Sequence, residues 1–106
     1  MDLQLRKKSD WIIVDLNGRV DSFNYEIIRD KVNTLVKMGK KHLAFNLEGV
    51  QFIALPNLRY LIQVAHQLKS RGGQAVVVGC SPPILKHFEE VHGLDDMNAL
   101  DKEEEL

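Results

Sequence analysis

The chain has one cysteine, three prolines, one tryptophan and no apolar run approaching the ~20 residues that a membrane-crossing helix needs. Each shortage excludes something. A lone Cys80 rules out an internal disulfide, and no Cys/His grouping has the spacing of a structural zinc site. Charge of one sign is also lacking: 14 Lys and Arg stand against 15 Asp and Glu, for a net charge of -1. Broad electrostatic capture of nucleic acid or of an anionic membrane is therefore not expected. The basic groups Arg6-Lys7-Lys8 and Lys37 with Lys40-Lys41-His42 read as exposed ends of elements. Met1 to Asp10 alternates apolar and charged residues, without the apolar stretch or small-residue cleavage site of a secretory signal. A soluble, cytoplasmic protein that neither binds nucleic acid nor inserts into a membrane is the expectation. No GxGxxG or GxxxxGK[ST] pattern, internal repeat or low-complexity stretch is present.

What is there is an ordinary globular composition. With 106 residues, 44% hydrophobic, the chain is expected to form a single domain over 1–106 around one core. Two early strands are predicted, over 2–7 and 11–16, the second ending at the turn signal Asn17-Gly18. From Asp21-Ser22 a helix is predicted, with Ile27, Ile28, Val32, Leu35 and Val36 inward and Gly39 as its left-handed stop. Leu43 to Leu47 reads as a strand, turned by Gly49-Val50. Pro56 is expected at the first position of a second helix, with Leu58, Leu61, Ile62, Ala65 and Leu68 inward and Gly72-Gly73 closing it.

Ala75 to Val78 reads as a strand buried on both faces. Ser81-Pro82 is expected to start a third helix through a capping hydroxyl, with Ile84, Leu85, Phe88 and Val91 inward and Gly93 as its left-handed cap. Residues 95–106, with six of the fifteen acidic residues, read as a short final element with a solvated, partly frayed end. The crossover between the strands at 43–47 and 75–78 requires a parallel pair, so the fold class is α/β, a mixed sheet with helices packed on it.

The order of these elements and four local stretches resemble the STAS family, the domain of anti-sigma factor antagonists and sulfate-transporter tails. Asn17-Gly18-Arg19-Val20-Asp21 is similar to the family's glycine, two residues, aspartate signature. Lys40 to Glu48 looks like its central strand. Lys69-Ser70-Arg71-Gly72-Gly73 resembles its Lys-x-Arg-Gly-Gly, and Val78-Gly79-Cys80-Ser81-Pro82 its Gly-x-Ser-Pro. The departures fall in one place. Where the family has Asp-Ser-Ser-Gly-Leu, this chain has Ala54-Leu55-Pro56-Asn57-Leu58, and Asn46 stands for an aspartate in the preceding strand. In phosphorylatable members a partner kinase modifies the serine whose place Leu55 takes. No Ser or Thr occurs anywhere between Leu47 and Tyr60. The resemblance therefore implies a regulatory interaction module with no phosphorylation at the usual loop.

Candidate partner-binding residues are Ala54, Leu55 and Pro56 as a small exposed apolar patch with Asn57 beside it, and Asp21 and Ser22 on the adjoining loop, with Ser81 and Pro82 at the border. An inward fold of Ala54 and Leu55 is the alternative packing. The resemblance implies a protein partner, either an anti-sigma factor kinase-like protein or another STAS-containing assembly, and leaves a homodimer open. The alternative functions are a sensor holding a small anion or nucleotide at the uncapped helix start, or an accessory STAS subunit of a membrane transport complex. No cofactor, metal or catalytic residue is expected. His87 and His92 lie five apart, about 140° around a helix at ~100° per residue, and so cannot share a metal. His66 reads as a surface residue and His42 as part of a basic turn, and Cys80, near a helix start but with no base placed beside it, reads as a packed thiol.

Overall fold

The computed structural model describes residues 1–106. Strands β1 (Asp2–Lys8) and β2 (Trp11–Val20) form a hairpin, followed by helix α1 (Tyr25–Lys37), strand β3 (His42–Ile53), helix α2 (Leu55–Ser70), strand β4 (Gln74–Val78), helix α3 (Pro82–Glu90) and strand β5 (Asn98–Leu100). Short 3₁₀ turns cover Gly93–Asp95 and Glu103–Glu105. The five strands lie in sequence order, β1 antiparallel to β2 and every later pair parallel. A parallel sheet that always advances in one direction, through right-handed crossovers, sets its helices on one face. Accordingly, 23 buried residues join that face of the sheet (Val14, Leu16, Leu43, Phe45, Leu47, Ala75, Val77) to the helices.

The opposite face is smaller and differently covered. Ile13, Ala44, Val76 and Val78 are buried there beneath Trp11, Leu100 and Leu106. The acidic end is thus docked. Arg6 makes a two-pronged pair with Asp15 and reaches Glu103 at 3.1 Å, and Lys8 Nζ donates to the Glu103 carbonyl at 2.9 Å. Asn46 Nδ2 donates to Asp15 Oδ1 at 2.8 Å, extending the same network to β3.

Several local expectations are corrected. Asn17-Gly18 and Gly49-Val50 do not turn the chain; β2 and β3 run through them as a continuous parallel ladder. The register passes from Asp15↔Asn46 to Asn17↔Gly49 to Arg19↔Phe52, so β3 carries one extra residue at each step, two successive bulges. Gly18 takes φ +98° there, and a side chain at Gly49 would overlap the Asn17 carboxamide. The bulges explain why Leu47, Val50 and Ile53 are all buried at a spacing of three along one strand.

Helix α1 starts later than expected, at Tyr25, after a turn closed by Asn24 and Asp21: Asp21 N–H donates to Asn24 Oδ1 and Phe23 N–H to Asp21 Oδ1. Ile27 faces solvent, 53% exposed, because of the adjacent pair Ile27-Ile28 only Ile28 lies on the inward stripe. Gly39, at φ +83°, does end this helix, its N–H and that of Lys40 donating back to Val36 and Leu35 carbonyls. In α2 the first helical residue is Leu55, with Pro56 one place further in and Ile62 only half-buried.

Ser81 occupies the N-cap of α3, but its hydroxyl makes no capping bond, and Leu85 and Val91 are half-buried beside the fully covered Ile84 and Phe88. At the far end of α3 the left-handed residue is His92 (φ +57°), not Gly93. Gly93 serves close packing: a Cβ there would stand 2.6 Å from Ile62 Cδ1 and 3.1 Å from Phe88 Cδ1.

Candidate functional site

At the ends of β2 and β3, the α1 entrance turn and the start of α2 are brought side by side by three contacts. Ala54 N–H donates to the Val20 carbonyl at 2.8 Å, which continues the β2–β3 ladder into the helix entrance. Asn57 Nδ2 donates to the Asp21 carbonyl at 3.1 Å. Deeper in, Tyr60 on α2 donates its hydroxyl to Asn33 Oδ1 on α1 at 2.7 Å and packs edge-on against Tyr25. Burial pushes the Tyr60 phenol up to about 12, so it remains a neutral donor. The candidate loops are therefore held on a common frame.

Within that frame the residues divide. Pro56 and Ser22 are exposed, Asp21 and Ala54 half-buried, and Leu55 half-buried against the main core. Asn57 is not a surface contact: it is 1% exposed, because its carboxamide turns inward to reach Asp21, and its Oδ1 has no partner. Ala54 is the N-cap of α2, with extended backbone and no side-chain bond to the free N–H groups behind it. Ser81 and exposed Pro82 sit at the same end of the sheet, one strand further along, and no hydrogen bond links them to the α2 entrance.

One apolar side chain that the sequence pattern does not single out lies beside this surface. Phe23, in the α1 entrance turn two residues from the Asp21 that Asn57 holds, is 89% exposed. Ile27, 53% exposed, points away from it: the residues of α1 that meet α2 are Tyr25, Arg29 and Asn33, and Ile27 lies about 160° around the helix from Arg29. Arg19 stacks its guanidinium 4.0 Å over Phe52 and pairs with Asp21 at 3.4 Å, which bounds the surface on the β2–β3 side.

The other chemistry-bearing residues lie elsewhere. Cys80 is half-buried at the edge of an open cleft of about 550 Å³, lined also by Asn46, Glu48, Asp101 and Glu103 on the opposite face of the sheet. Burial raises its thiol to about 11, the reverse of an activated nucleophile. Asn46, in the place of a family aspartate, is engaged with Asp15 and with the Glu48 N–H. His66 and Lys69 both bind Asp96, tying α2 to the chain beyond α3, and no three His, Cys, Asp or Glu side chains converge as a metal site.

A mixed sheet with three helices on one face, and a helix entrance pinned to the turn before α1, define a STAS-type regulatory fold. The STAS domain family model matches residues 2–105, and the chain belongs to the STAS family. It is 28% identical over 89 residues to BtrV of Bordetella bronchiseptica, described as a candidate anti-sigma factor antagonist, covering 84% of this chain and 77% of that protein. Among solved structures it resembles the phosphorylated form of the Bacillus cell fate determinant SpoIIAA at TM-score 0.78 and 23% identity, over 98% of this chain and 95% of that one. It also resembles a candidate anti-sigma factor antagonist of Thermotoga maritima at TM-score 0.90 and 15% identity, over 97% and 89% respectively.

Proposed function

We propose that this chain is a non-catalytic interaction module of the anti-sigma factor antagonist kind, acting in bacterial regulation, and that it binds its protein partner through the surface around Phe23, Ala54, Leu55 and Pro56, with Asp21 and Ser22 on its rim. The observation that carries this reading is the pairing of a helix entrance without hydroxyls and a phenylalanine 89% exposed beside it. Covering such a ring is worth about 1.5–3 kcal/mol. A module built this way binds according to the partner's availability, without a phosphoryl switch at the α2 start. An anti-sigma factor kinase-like protein or another STAS-containing assembly fits the family's partners.

The test is pairwise binding against the switch-type kinases and STAS proteins of the same genome, with ATP present and mass spectrometry of the recovered chain. Binding to one of them, no phosphate on residues 54–57, and loss of binding in Phe23→Glu with an unchanged melting temperature support the reading. A phosphate on Ser22 or Ser81 that abolishes binding means the switch has moved to another loop. Silence across the panel, with millimolar nucleotide raising the melting temperature, favours the anion sensor.

A further inference from the structure

The basic groups that are separate in sequence come together in the fold, at the end of the molecule opposite the α2 entrance. The β1–β2 hairpin (residues 7–11), the α1–β3 connection (37–42) and the α2–β4 connection (69–74) adjoin one another there: Ile12 pairs with Leu43, His42 with Gln74, and Gln74 N–H donates to the Lys41 carbonyl at 2.8 Å. These three segments carry Lys7, Lys8, Lys37, Lys40, Lys41, Lys69 and Arg71, half of the chain's 14 basic residues, and one acid, Asp10.

Local chemistry accounts for only part of this. Lys8 is bound to the Glu103 carbonyl and Lys69 to Asp96, and Lys37 lies in the last turn of α1, where it complements the helix dipole. Lys7, Lys40, Lys41 and Arg71 lie beyond any last helical turn, are exposed and form no ion pair, and Met38 stands 64% exposed among them. A chain of net charge -1 has thus concentrated unpaired cations around an exposed thioether.

We propose that this pole is a second docking surface, for an acidic protein segment carrying an apolar residue that packs on Met38. Three features favour a short acidic segment over a long polyanion. Asp95 and Asp96 line a cleft with His42, Lys69 and Gln74, bounding the pole on that side, and would repel a nucleic-acid strand extending past it. Trp11, the aromatic ring at this end, is half-buried over the smaller apolar cluster and tilted against His42 at 5.4 Å, so it is not an open platform on which bases stack. The molecule's longest dimension is 30 Å, so an extended partner segment crossing the pole engages fewer than about ten residues at ~3.3 Å each. With the α2 entrance engaged at the other end, one chain would bridge two proteins.

Fluorescence anisotropy with a labelled oligoglutamate peptide carrying one central leucine tests this at physiological ionic strength. Saturable binding is expected, weakened about tenfold by Lys40→Glu with Lys41→Glu, and similarly by Arg71→Glu with Lys7→Glu. Met38→Ser should weaken it to a smaller degree. Lys86→Glu on α3, and Phe23→Glu at the other pole, should leave it unchanged. Absence of binding, or binding indifferent to both double variants, overturns the proposal. So does tighter binding of a single-stranded oligonucleotide or of phosphatidylserine vesicles. The Phe23→Glu arm keeps this result separate from that of the partner surface at the α2 entrance.

Discussion

Placing serine or aspartate at position 54 should stabilise the fold, a prediction that follows from the bare entrance of α2. Ala54 has φ -71° and ψ 149°, the extended geometry in which an N-cap oxygen reaches the N–H of the second or third helical residue. The second is Pro56, which has no N–H, so the donor within reach is that of Asn57. Serine in place of alanine should contribute ~1 kcal/mol, and aspartate a further ~0.3–1 kcal/mol by its interaction with the helix dipole. For 106 residues at ~2.1 cal/mol/K each, 1 kcal/mol corresponds to a rise of about 4–5 °C in Tm.

The two variants differ in their pH dependence. A capping aspartate has its folded pKa depressed, so its added stability is fully present above the unfolded value of about 3.9 and is lost as pH falls through the folded pKa; serine's contribution does not titrate. Circular dichroism melts of both variants at neutral pH and at about pH 3 read this out, with Ala54→Val as a control without a cap. The neighbouring Leu55→Asp should have the opposite sign. Leu55 is the first helical residue, cannot serve as the cap, and is half-buried against the core, so losing its packing costs about 1–2 kcal/mol. If neither position-54 variant raises Tm at neutral pH, the entrance N–H groups are already satisfied and the reasoning fails.

Three further outcomes are expected. Gly73→Ala should destabilise more than Gly72→Ala, although Gly72 has φ +80°, because a Cβ at Gly73 would overlap the Lys41 carbonyl oxygen while Gly72 opens on free space; equal urea midpoints would refute this. The Cys80 thiol, raised to about 11 by burial, should react with a disulfide reagent at mildly alkaline pH roughly a hundredfold more slowly than in urea, and rapid native labelling would contradict its placement. The Arg6 guanidinium holds the Asp15 carboxyl below the usual carboxylate range, so the pair's contribution is present above the unfolded pKa of Asp15 and disappears as pH falls through the folded one. Asp15→Asn should therefore cost about 1 kcal/mol at neutral pH and nothing in strong acid, and a cost independent of pH would show that the pair is electrostatically idle.

Four of the five strands and all three helices were legible in their order because apolar periodicity reports which face of each element is covered; β5, only three residues long, is too short to show a period. What escaped was set by pairing between distant segments. Asn17-Gly18 and Gly49-Val50 have the composition of turns, yet parallel pairing of β2 with β3 overrides that local preference and turns the glycines into bulge positions. Leu47, Val50 and Ile53 are spaced by three, a helical interval, on what is a strand. Ile27 was read as inward for the related reason that an apolar residue in a pattern is presumed to face the core, and only the packed core shows that Ile28 has taken the place; Phe23, in the turn before α1, belongs to no periodic pattern at all.

Asn57 links these corrections to function. In phosphorylatable relatives this position is a glycine, next to a hydroxyl that must be reached by a kinase. Here a carboxamide fills it, turns inward and ties the α2 entrance to the Asp21 carbonyl, leaving its own Oδ1 buried without a partner. That contact fixes the α2 entrance against the turn before α1. A loop that must admit a kinase and change its charge benefits from freedom at that point; a surface that recognises one partner in one state benefits from rigidity, because less ordering remains to be done on binding. The loss of the hydroxyls and the gain of the Asn57 tether act in the same direction: both suit a module whose binding surface is formed in advance.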